Sequence, residues 1–468
     1  MNAFKKIKKI HFVGIGGAGM IGIARVLLQK GYKISGSDIT ISADLNKLRN
    51  EGAKVYQGHS KSNLKDVDLL VLSSAIHKSN SEVLKAKELG ITTIPRAEML
   101  GSIMRGYDSI AIAGSHGKTT TTSMLAKIFS EADLSPTYVI GGKVLSTENN
   151  SDLGSGTYLM AEADESDGSF IHLHPNAAIV TNIDDDHLVH YDNNFENLLN
   201  AFITFLDNVP FFGYIVLNND DKNIKKISKS ISRKQITFGF TKSSDFQIKE
   251  TSYKNGFQSF SLFHKDKDKT YFFKIPCPGK HNVYNAAAAA LVSIEEGLPI
   301  SKVKKGLKEF SGVGRRYEKH NLLINGKSKL LIDDYGHHPL EVLSNINAIK
   351  QEFPSKKVCI IFQPHRFSRT AQLFDEFINV LIKTKALIIL DIYAASEKPI
   401  KGINSKSLVH SLKQIGHLNC HYINSHDKIN NYIESNSNNF DIFVTQGAGS
   451  VSNVCESCLL YTSPSPRD

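Results

Sequence analysis

A chain of 468 residues is too long for one ordinary core and predicts two or three domains. Its 41% hydrophobic and 22% charged residues are those of a water-facing globular protein, and no apolar stretch is long enough to span a bilayer, so membrane insertion is not expected. The net charge of +10 comes from lysines scattered over surface-like segments such as residues 222–229. No aromatic-basic module accompanies them, which argues against a nucleic-acid partner.

Residues 5–13 imitate a signal peptide, with a basic start and a short apolar run. Gly14, Gly16, Gly17 and Gly19 interrupt that run, so it reads as the first strand of a domain. Gly14-Ile-Gly-Gly-Ala-Gly19 satisfies GxGxxG and opens a helix that runs to about residue 30. Asp38 ends the next strand where a ribose-reading acid sits in dinucleotide sites. Alone, the loop admits NAD(P), another diphosphate, or only tight helix–strand packing. Further strand-like runs at 67–73 and 91–94 predict a doubly wound, mostly parallel sheet over residues 1–107.

A second domain is expected over residues 108–312. The apolar run 109–113 breaks into Gly114-Ser115-His116-Gly117-Lys118-Thr119-Thr120, and a helix-compatible run follows. That order reads as strand, phosphate loop and helix N-terminus. Backbone N–H groups and the helix dipole meet phosphates, the lysine reaches the outer ones, and the threonine hydroxyl suits Mg²⁺. The loop falls short of GxxxxGK[ST], because Ile112 stands at its first glycine. Two acidic clusters follow later strands: Glu162-Ala-Asp-Glu-Ser-Asp167 and Asp184-Asp-Asp-His187. Each alone is a solvated capping loop; beside a phosphate loop, both suit Mg²⁺, which takes oxygen ligands. The alanine run 286–290 predicts a helix over 281–296.

A third α/β domain is expected over 313–454, with strands near 330–333, 357–362, 386–390 and 441–445. Its loops carry Arg315, Arg316, Asp334, Tyr335, His337, His338, His365, Arg366 and Arg369. Arginines after strands suit bidentate capture of carboxylates or phosphates. His337 and His338 are adjacent and precede Pro339, which favours helix capping over a metal site. Five cysteines at wide spacings predict reduced thiols and a cytoplasmic protein, and the single Cys455-x-x-Cys458 pair lacks a partner pair for zinc. From Cys455 to Asp468 the apolar pattern is expected to stop, and Pro464 and Pro466 favour an extended, unpacked tail.

Taken in order, Gly14-Ile-Gly-Gly-Ala-Gly-Met20, Gly114-Ser-His-Gly-Lys-Thr-Thr120, Glu162-Ala-Asp-Glu-Ser-Asp167, Asp186-His187, Pro278-Gly-Lys-His-Asn282, Gly314-Arg-Arg316, Asp334-Tyr-Gly-His-His-Pro339 and Pro364-His-Arg-Phe-Ser-Arg369 resemble the Mur ligase superfamily. The resemblance runs from about residue 8 to about residue 454, and it is nearest to the members that add L-alanine. It implies a UDP-sugar domain, an ATPase domain and an amino-acid domain. It also implies ATP-driven joining of L-alanine to the lactyl carboxylate of UDP-N-acetylmuramic acid through an acyl phosphate, as a monomer or weak homodimer. ATP and Mg²⁺ are the cofactors implied.

Carried over by position, Gly16, Gly17, Gly19, Met20 and Asp38 would meet the UDP-sugar. Gly114 to Thr120, with Asn282, Arg315, Arg316 and Asp334, would meet ATP. Lys118 would neutralise the outer phosphates, and Thr119 and Glu162 would hold one Mg²⁺ with His187 on a second. Tyr335, His365, Arg366 and Arg369 would frame the alanine carboxylate. Several superfamily members carry a carbamylated lysine after the Asp-His motif. No lysine lies between His187 and Lys222, the pattern implied for the alanine-adding members.

Overall fold

The computed structural model describes residues 6–145, 149–186 and 188–462. It carries three α/β sheets. The first two lie in one compact unit (residues up to Pro276 and Asn282–Ser311), and the third lies in a second unit (Cys277–His281 and from Gly312 on).

The first sheet comprises β1 (Lys9–Val13), β2 (Lys33–Asp38), β3 (Lys54–Gln57), β4 (Leu69–Leu72) and β5 (Thr92–Pro95), all parallel in the order β3-β2-β1-β4-β5. The order reverses beside β1, so the crevice past its carboxyl end falls on Gly14–Gly17. Ligands of open α/β sheets bind at such switch points.

The second sheet runs through β6 (Asp108–Ala113), β7 (Thr137–Val144), β8 (Asn149–Asp152), β9 (Tyr158–Glu162), β10 (Ala177–Val180), β11 (Tyr214–Asn218), β12 (Lys234–Gly239), β13 (Phe246–Lys254), β14 (Phe257–His264) and β15 (Lys269–Ile275). Their order is β15-β14-β13-β12-β11-β10-β6-β9-β7-β8. The centre is parallel, and antiparallel hairpins extend both edges. β6 reads as an unbroken apolar run because it is central and covered on both faces: Ile110 to Ala113 are at most 1% exposed. The first two sheets share one apolar cluster, in which Ile10 and Phe12 belong with Val139, Leu159 and Phe170.

The third sheet comprises β16 (Glu318–Ile324), β17 (Lys327–Asp334), β18 (Val358–Phe362), β19 (Leu387–Ile389), β20 (Cys420–Tyr422) and β21 (Ile442–Gln446), in the order β16-β17-β21-β18-β19-β20. Only β16 is antiparallel to its neighbour. The carboxyl ends of β17, β21 and β18 therefore lie side by side, and Asp334, Gln446 and Phe362 are register partners there.

The unpacked tail expected from Cys455 is not found as far as Thr462, and residues 463–468 lie outside the described residues. Ser452–Thr462 is a helix, and Val451, Val454, Cys455 and Cys458 are buried in one cluster with Cys359 and Phe443. Those positions, with half-buried Leu459, recur at i, i+3, i+4, i+7 and i+8, which is a helical stripe once cysteine counts as a small apolar residue. Burial pushes the Cys458 thiol up to about 11 and raises Cys455 as well, so the CxxC pair is a packing feature. No helix among the described residues is long and apolar enough to cross a membrane.

Candidate active site

The phosphate loop follows β6. Gly114 has φ +126°, and a Cβ there would fall 2.3 Å from Thr181 Oγ1; Gly117 has φ +84°, and a Cβ would fall 2.4 Å from Asn285 Oδ1. Both conformation and space demand glycine, which is why the motif is legible. The helix Lys118–Glu131 begins on Thr119-Thr-Thr-Thr122, residues of low helix propensity. Two hydroxyls of this first stretch bond back to the helix: Thr122 donates to the Lys118 carbonyl at 2.9 Å and Ser123 to that of Thr119 at 2.7 Å.

The second acidic segment braces the loop. Ser115 N–H donates to the Asn182 carbonyl at 3.1 Å, and His116 N–H to Asn182 Oδ1 at 2.8 Å. Asp184 N–H donates to Ser115 Oγ at 2.9 Å, and His116 Nε2 lies 3.2 Å from an Asp184 oxygen. The side chains of Ser115 and His116 are thus turned towards the brace, leaving backbone N–H groups and Lys118 as the loop's anion-binding elements. His187, expected as a metal ligand, lies outside the described residues.

Lys118 Nζ donates to the Gly114 carbonyl at 2.6 Å and to both Glu165 oxygens at 3.0 and 2.8 Å. Burial works against its charge, but Glu165 and Asp164 outweigh that and hold its pKa above the ordinary lysine value. Glu165 is 1% exposed. Asp164, opposed by burial, is held below the usual carboxylate range by Lys118 and by Arg96, whose guanidinium lies 3.5 Å away.

Glu162 accepts from Gly141 N–H at 2.7 Å and contacts the Thr119 hydroxyl; burial pushes its pKa up. Thr119 and Glu162 therefore present two hard oxygen donors at the mouth of the loop. That set fits Mg²⁺, which takes few protein ligands and completes its shell with phosphate oxygens and water. Asn282 and Asn285 stand one turn apart on the helix Lys280–Glu295, joined at 3.4 Å and buried beside Gly117. Sequence reasoning named Asn282 alone. Its i, i+3 spacing to Asn285 was the available signal.

In the first domain, Gly16 N–H donates to Asp38 Oδ2 at 2.8 Å and Thr40 N–H to Oδ1 at 3.2 Å. Asp38 thus tethers the glycine loop. Gly17 caps the helix Ala18–Gln29 and Gly19 lies against the Arg96 guanidinium. Met20, expected to touch substrate, is 1% exposed and belongs to the core beneath the loop, where a long apolar side chain fills the space.

In the second unit, Asp334 accepts from Tyr317 N–H at 2.9 Å, Gly336 N–H at 2.9 Å and Gln446 Nε2 at 2.7 Å. Burial raises its pKa against the pull of Arg316. Arg315 spends its fork internally, on Asp333 at 2.9 Å and the Gly447 carbonyl at 2.7 Å. Arg316 reaches Glu341 at 3.5 Å, and both guanidiniums lie over the Tyr335 ring. Aromatic rings then continue from Tyr335 to His337, His365 and Tyr393 at centroid separations of 5.3–5.5 Å. Arg369 Nη1 lies 3.3 Å from His365 Nδ1. Arg366 has φ +71°, a strained backbone for a bulky side chain, fixed by its N–H donating to the Tyr393 carbonyl at 2.8 Å. His338 caps the helix Pro339–Glu352 as expected, and Glu341 accepts from His337 and His338 N–H in a capping box. The structure thus gathers Tyr335, His365, Arg366 and Arg369, and adds Tyr393 and Gln446, which were not named as site residues.

Three protein-family models match these three sheets in order: "Mur ligase family, catalytic domain" over residues 9–108, "Mur ligase middle domain" over 112–293, and "Mur ligase, glutamate ligase domain" over 315–449. The chain is a Mur ligase. Formation of an amide bond driven by ATP is therefore its class of reaction. Among solved structures, the chain is similar to the UDP-N-acetylmuramate-alanine ligase MurC of Thermotoga maritima, at 27% identity over 97% of this chain and 98% of that one, with a TM-score of 0.83. It shares the fold of a murein peptide ligase from Psychrobacter arcticus (22% identity, 97% and 98% covered, TM-score 0.72). It also shares the fold of the MurF ligase of Thermotoga maritima, solved in complex with ADP (17% identity, 97% and 95% covered, TM-score 0.61).

Proposed function

We propose that this Mur ligase joins L-alanine to the lactyl carboxylate of UDP-N-acetylmuramic acid, with ATP converted to ADP and phosphate. The observation that carries the reading is the likeness, over nearly the whole length of both chains, to an alanine-adding ligase. The absence of lysine between His187 and Lys222 agrees with it. In this reading the γ-phosphoryl group passes to the lactyl carboxylate and ADP leaves. The alanine amine then attacks the acyl carbon, and phosphate departs as the amide forms.

Lys118, already desolvated and charged, meets the negative charge that grows on the transferring phosphoryl oxygens. Backbone N–H groups at the start of the helix, from Gly117 to Thr120, cradle the nucleotide phosphates, and Asn282, Arg316 and Asp334 serve the nucleotide. Thr119 and Glu162 would hold one Mg²⁺ and His187 a second, and the metal would supply charge neutralisation on the phosphates. The glycine loop held by Asp38 faces the sugar diphosphate. Arg366 and Arg369 take the alanine carboxylate, for which a planar fork is the best-matched donor. Tyr335 and His365 wall that pocket.

Purified protein with ATP, Mg²⁺, UDP-N-acetylmuramic acid and L-alanine is expected to release phosphate only when all four are present. Release that ignores omission of L-alanine overturns the ligase step. Faster release with an L-alanyl-γ-D-glutamyl-diaminopimelate tripeptide than with L-alanine overturns the alanine assignment.

A further inference from the structure

The first sheet has two faces of different chemistry. Ile10 and Phe12 of β1, Ile34 of β2 and Val55 of β3 belong to the main core. Alternation puts the residues between them on the other face: Lys9 and His11, Lys33 and Ser35, Lys54 and Tyr56. The register makes Lys9 the neighbour of Lys33, and Ser35 the neighbour of both His11 and Lys54.

Towards the carboxyl ends of the strands this polar face is closed over by Glu82 from the helix Ser81–Glu88. Glu82 accepts from Ser37 at 2.5 Å and Asn63 at 2.7 Å, and lies 3.5 Å from His11 and 3.1 Å from His59. Towards the amino ends it is open. A cavity of about 720 Å³ lies there, with Lys9, Lys33, Lys54, Lys65, Tyr56 and Asp66 on its wall. It sits at the opposite end of the strands from the glycine loop.

Charge in this cavity is one-sided. Lys9 is paired with Asp66, the one carboxylate on the wall. Lys33, Lys54 and Lys65 make no ion pair among the described residues, and Lys54 Nζ stands 5.2 Å from the centroid of the Tyr56 ring. Like charges in register on adjacent strands repel, and of Lys9 and Lys33 only Lys9 has an ion-pair partner among the described residues. Four ammonium groups against one carboxylate, around a cavity of the size small molecules fill, suit a compact polyanion. Lysine binds phosphate as a point charge.

We infer that this cavity is a binding site for an oligophosphate-bearing small molecule, distinct from the phosphate loop of the second domain and from the glycine loop. The site does not depend on which amino acid the ligase adds.

Lysine acetylation of the full-length protein, read residue by residue by mass spectrometry, tests it without interference from the phosphate loop. The probes are inorganic tripolyphosphate and ATP, each titrated without Mg²⁺. Lys33, Lys54 and Lys65 are expected to be protected in a saturable manner, while exposed lysines that do not line the cavity, such as Lys413, keep their reactivity. ATP protecting at lower concentration than tripolyphosphate identifies a nucleotide site; equal protection identifies a site for the phosphate chain alone. In a Lys33→Gln/Lys54→Gln variant, the concentration needed to protect Lys65 should rise by about tenfold for each lysine removed, the size expected of a charge-assisted hydrogen bond. That variant is expected to keep its ligase turnover, because neither lysine belongs to the reaction site. Cavity lysines no better protected than those that do not line it, or Lys65 protection unchanged in the variant, overturns the inference.

Discussion

Lys118→Ala separates two things that one side chain does. In the folded protein its ammonium sits 2.8 Å from a Glu165 carboxylate that is 1% exposed. Removing it strands that carboxylate in the interior, and breaking such a buried pair costs about 3–5 kcal/mol of stability. Removing it also takes a preorganised cation from the phosphoryl oxygens, a loss of about 3–4 kcal/mol of transition-state stabilisation, or roughly 10²–10³ in turnover. A second substitution distinguishes the two. Glu165→Gln in the same chain removes the stranded charge and keeps the volume, so Lys118→Ala/Glu165→Gln should recover most of the lost stability in urea unfolding. Its phosphate release with all substrates present should stay as low as in the single variant. Turnover that returns with stability would show that Lys118 matters for the fold and not for the phosphates.

Gly114→Ala should weaken ATP binding and cost about 1–3 kcal/mol, because φ +126° is strained for alanine and the new methyl group meets Thr181; an unchanged KM for ATP refutes the loop assignment. Arg366→Lys keeps charge but loses the planar fork, so KM for L-alanine should rise with KM for ATP intact; the reverse pattern misplaces the second-unit pocket. Burial alone would raise the pKa of Glu82, but the His11 imidazole 3.5 Å away and hydrogen bonds from Ser37 and Asn63 hold it down to about 2, against 4.5 for a free glutamate. Its contribution is fully present above pH 4.5 and is lost as pH falls towards 2, at about 1.4 kcal/mol per pH unit. Over that window wild type should lose stability faster than Glu82→Gln, and parallel curves remove the argument. Deleting residues 459–468 takes Leu459 from the third-sheet core and should lower the thermal midpoint by several degrees; an unchanged midpoint would deny the last helix a structural share.

The motifs that were legible in sequence are those where backbone geometry leaves no choice. Gly114 and Gly117 must be glycine, and the fully covered β6 must be an apolar run, so strand, loop and helix announce themselves. His338 was legible for a related reason: a side chain before Pro339 stands where orphan backbone N–H groups need an acceptor. Asp38, expected to meet the UDP-sugar, holds the Gly16 N–H, a tether that the motif did not announce. What was hidden depends on chain segments far apart. Glu165 pairs with Lys118 across 47 residues, and Gln446 reaches Asp334 across 112. The stacking of Tyr393 on His365 requires two loops whose approach is set by the third sheet. The antiparallel edge strands β13 to β15 were missed because half-exposed strands alternate with charged residues and resemble surface loops.

The last helix shows how far a breaker's influence extends. A proline withholds its own N–H and disfavours helical geometry in the residue before it. From Pro464 such an effect is confined to about one helical turn before it, and among the described residues the helix runs to Thr462. Reading the proline pair as a signal over the whole segment from Cys455 spread a local steric effect across two helical turns. The same segment carries its own positive signal, since Val451, Val454, Cys455, Cys458 and Leu459 all belong to one cluster. Two of those five are cysteines, which a polar reading of thiols discounts, although an un-ionised thiol packs as a small apolar group. Burial raises both pKa values, so ionising either thiol would put an uncompensated charge into the core that seats the helix. Cys455→Ser should therefore loosen the helix where Cys455→Ala does not, because only serine brings a hydroxyl into the apolar cluster, whereas at Cys458 the Asn430 Oδ1 that faces the thiol at 3.7 Å would accept from a hydroxyl.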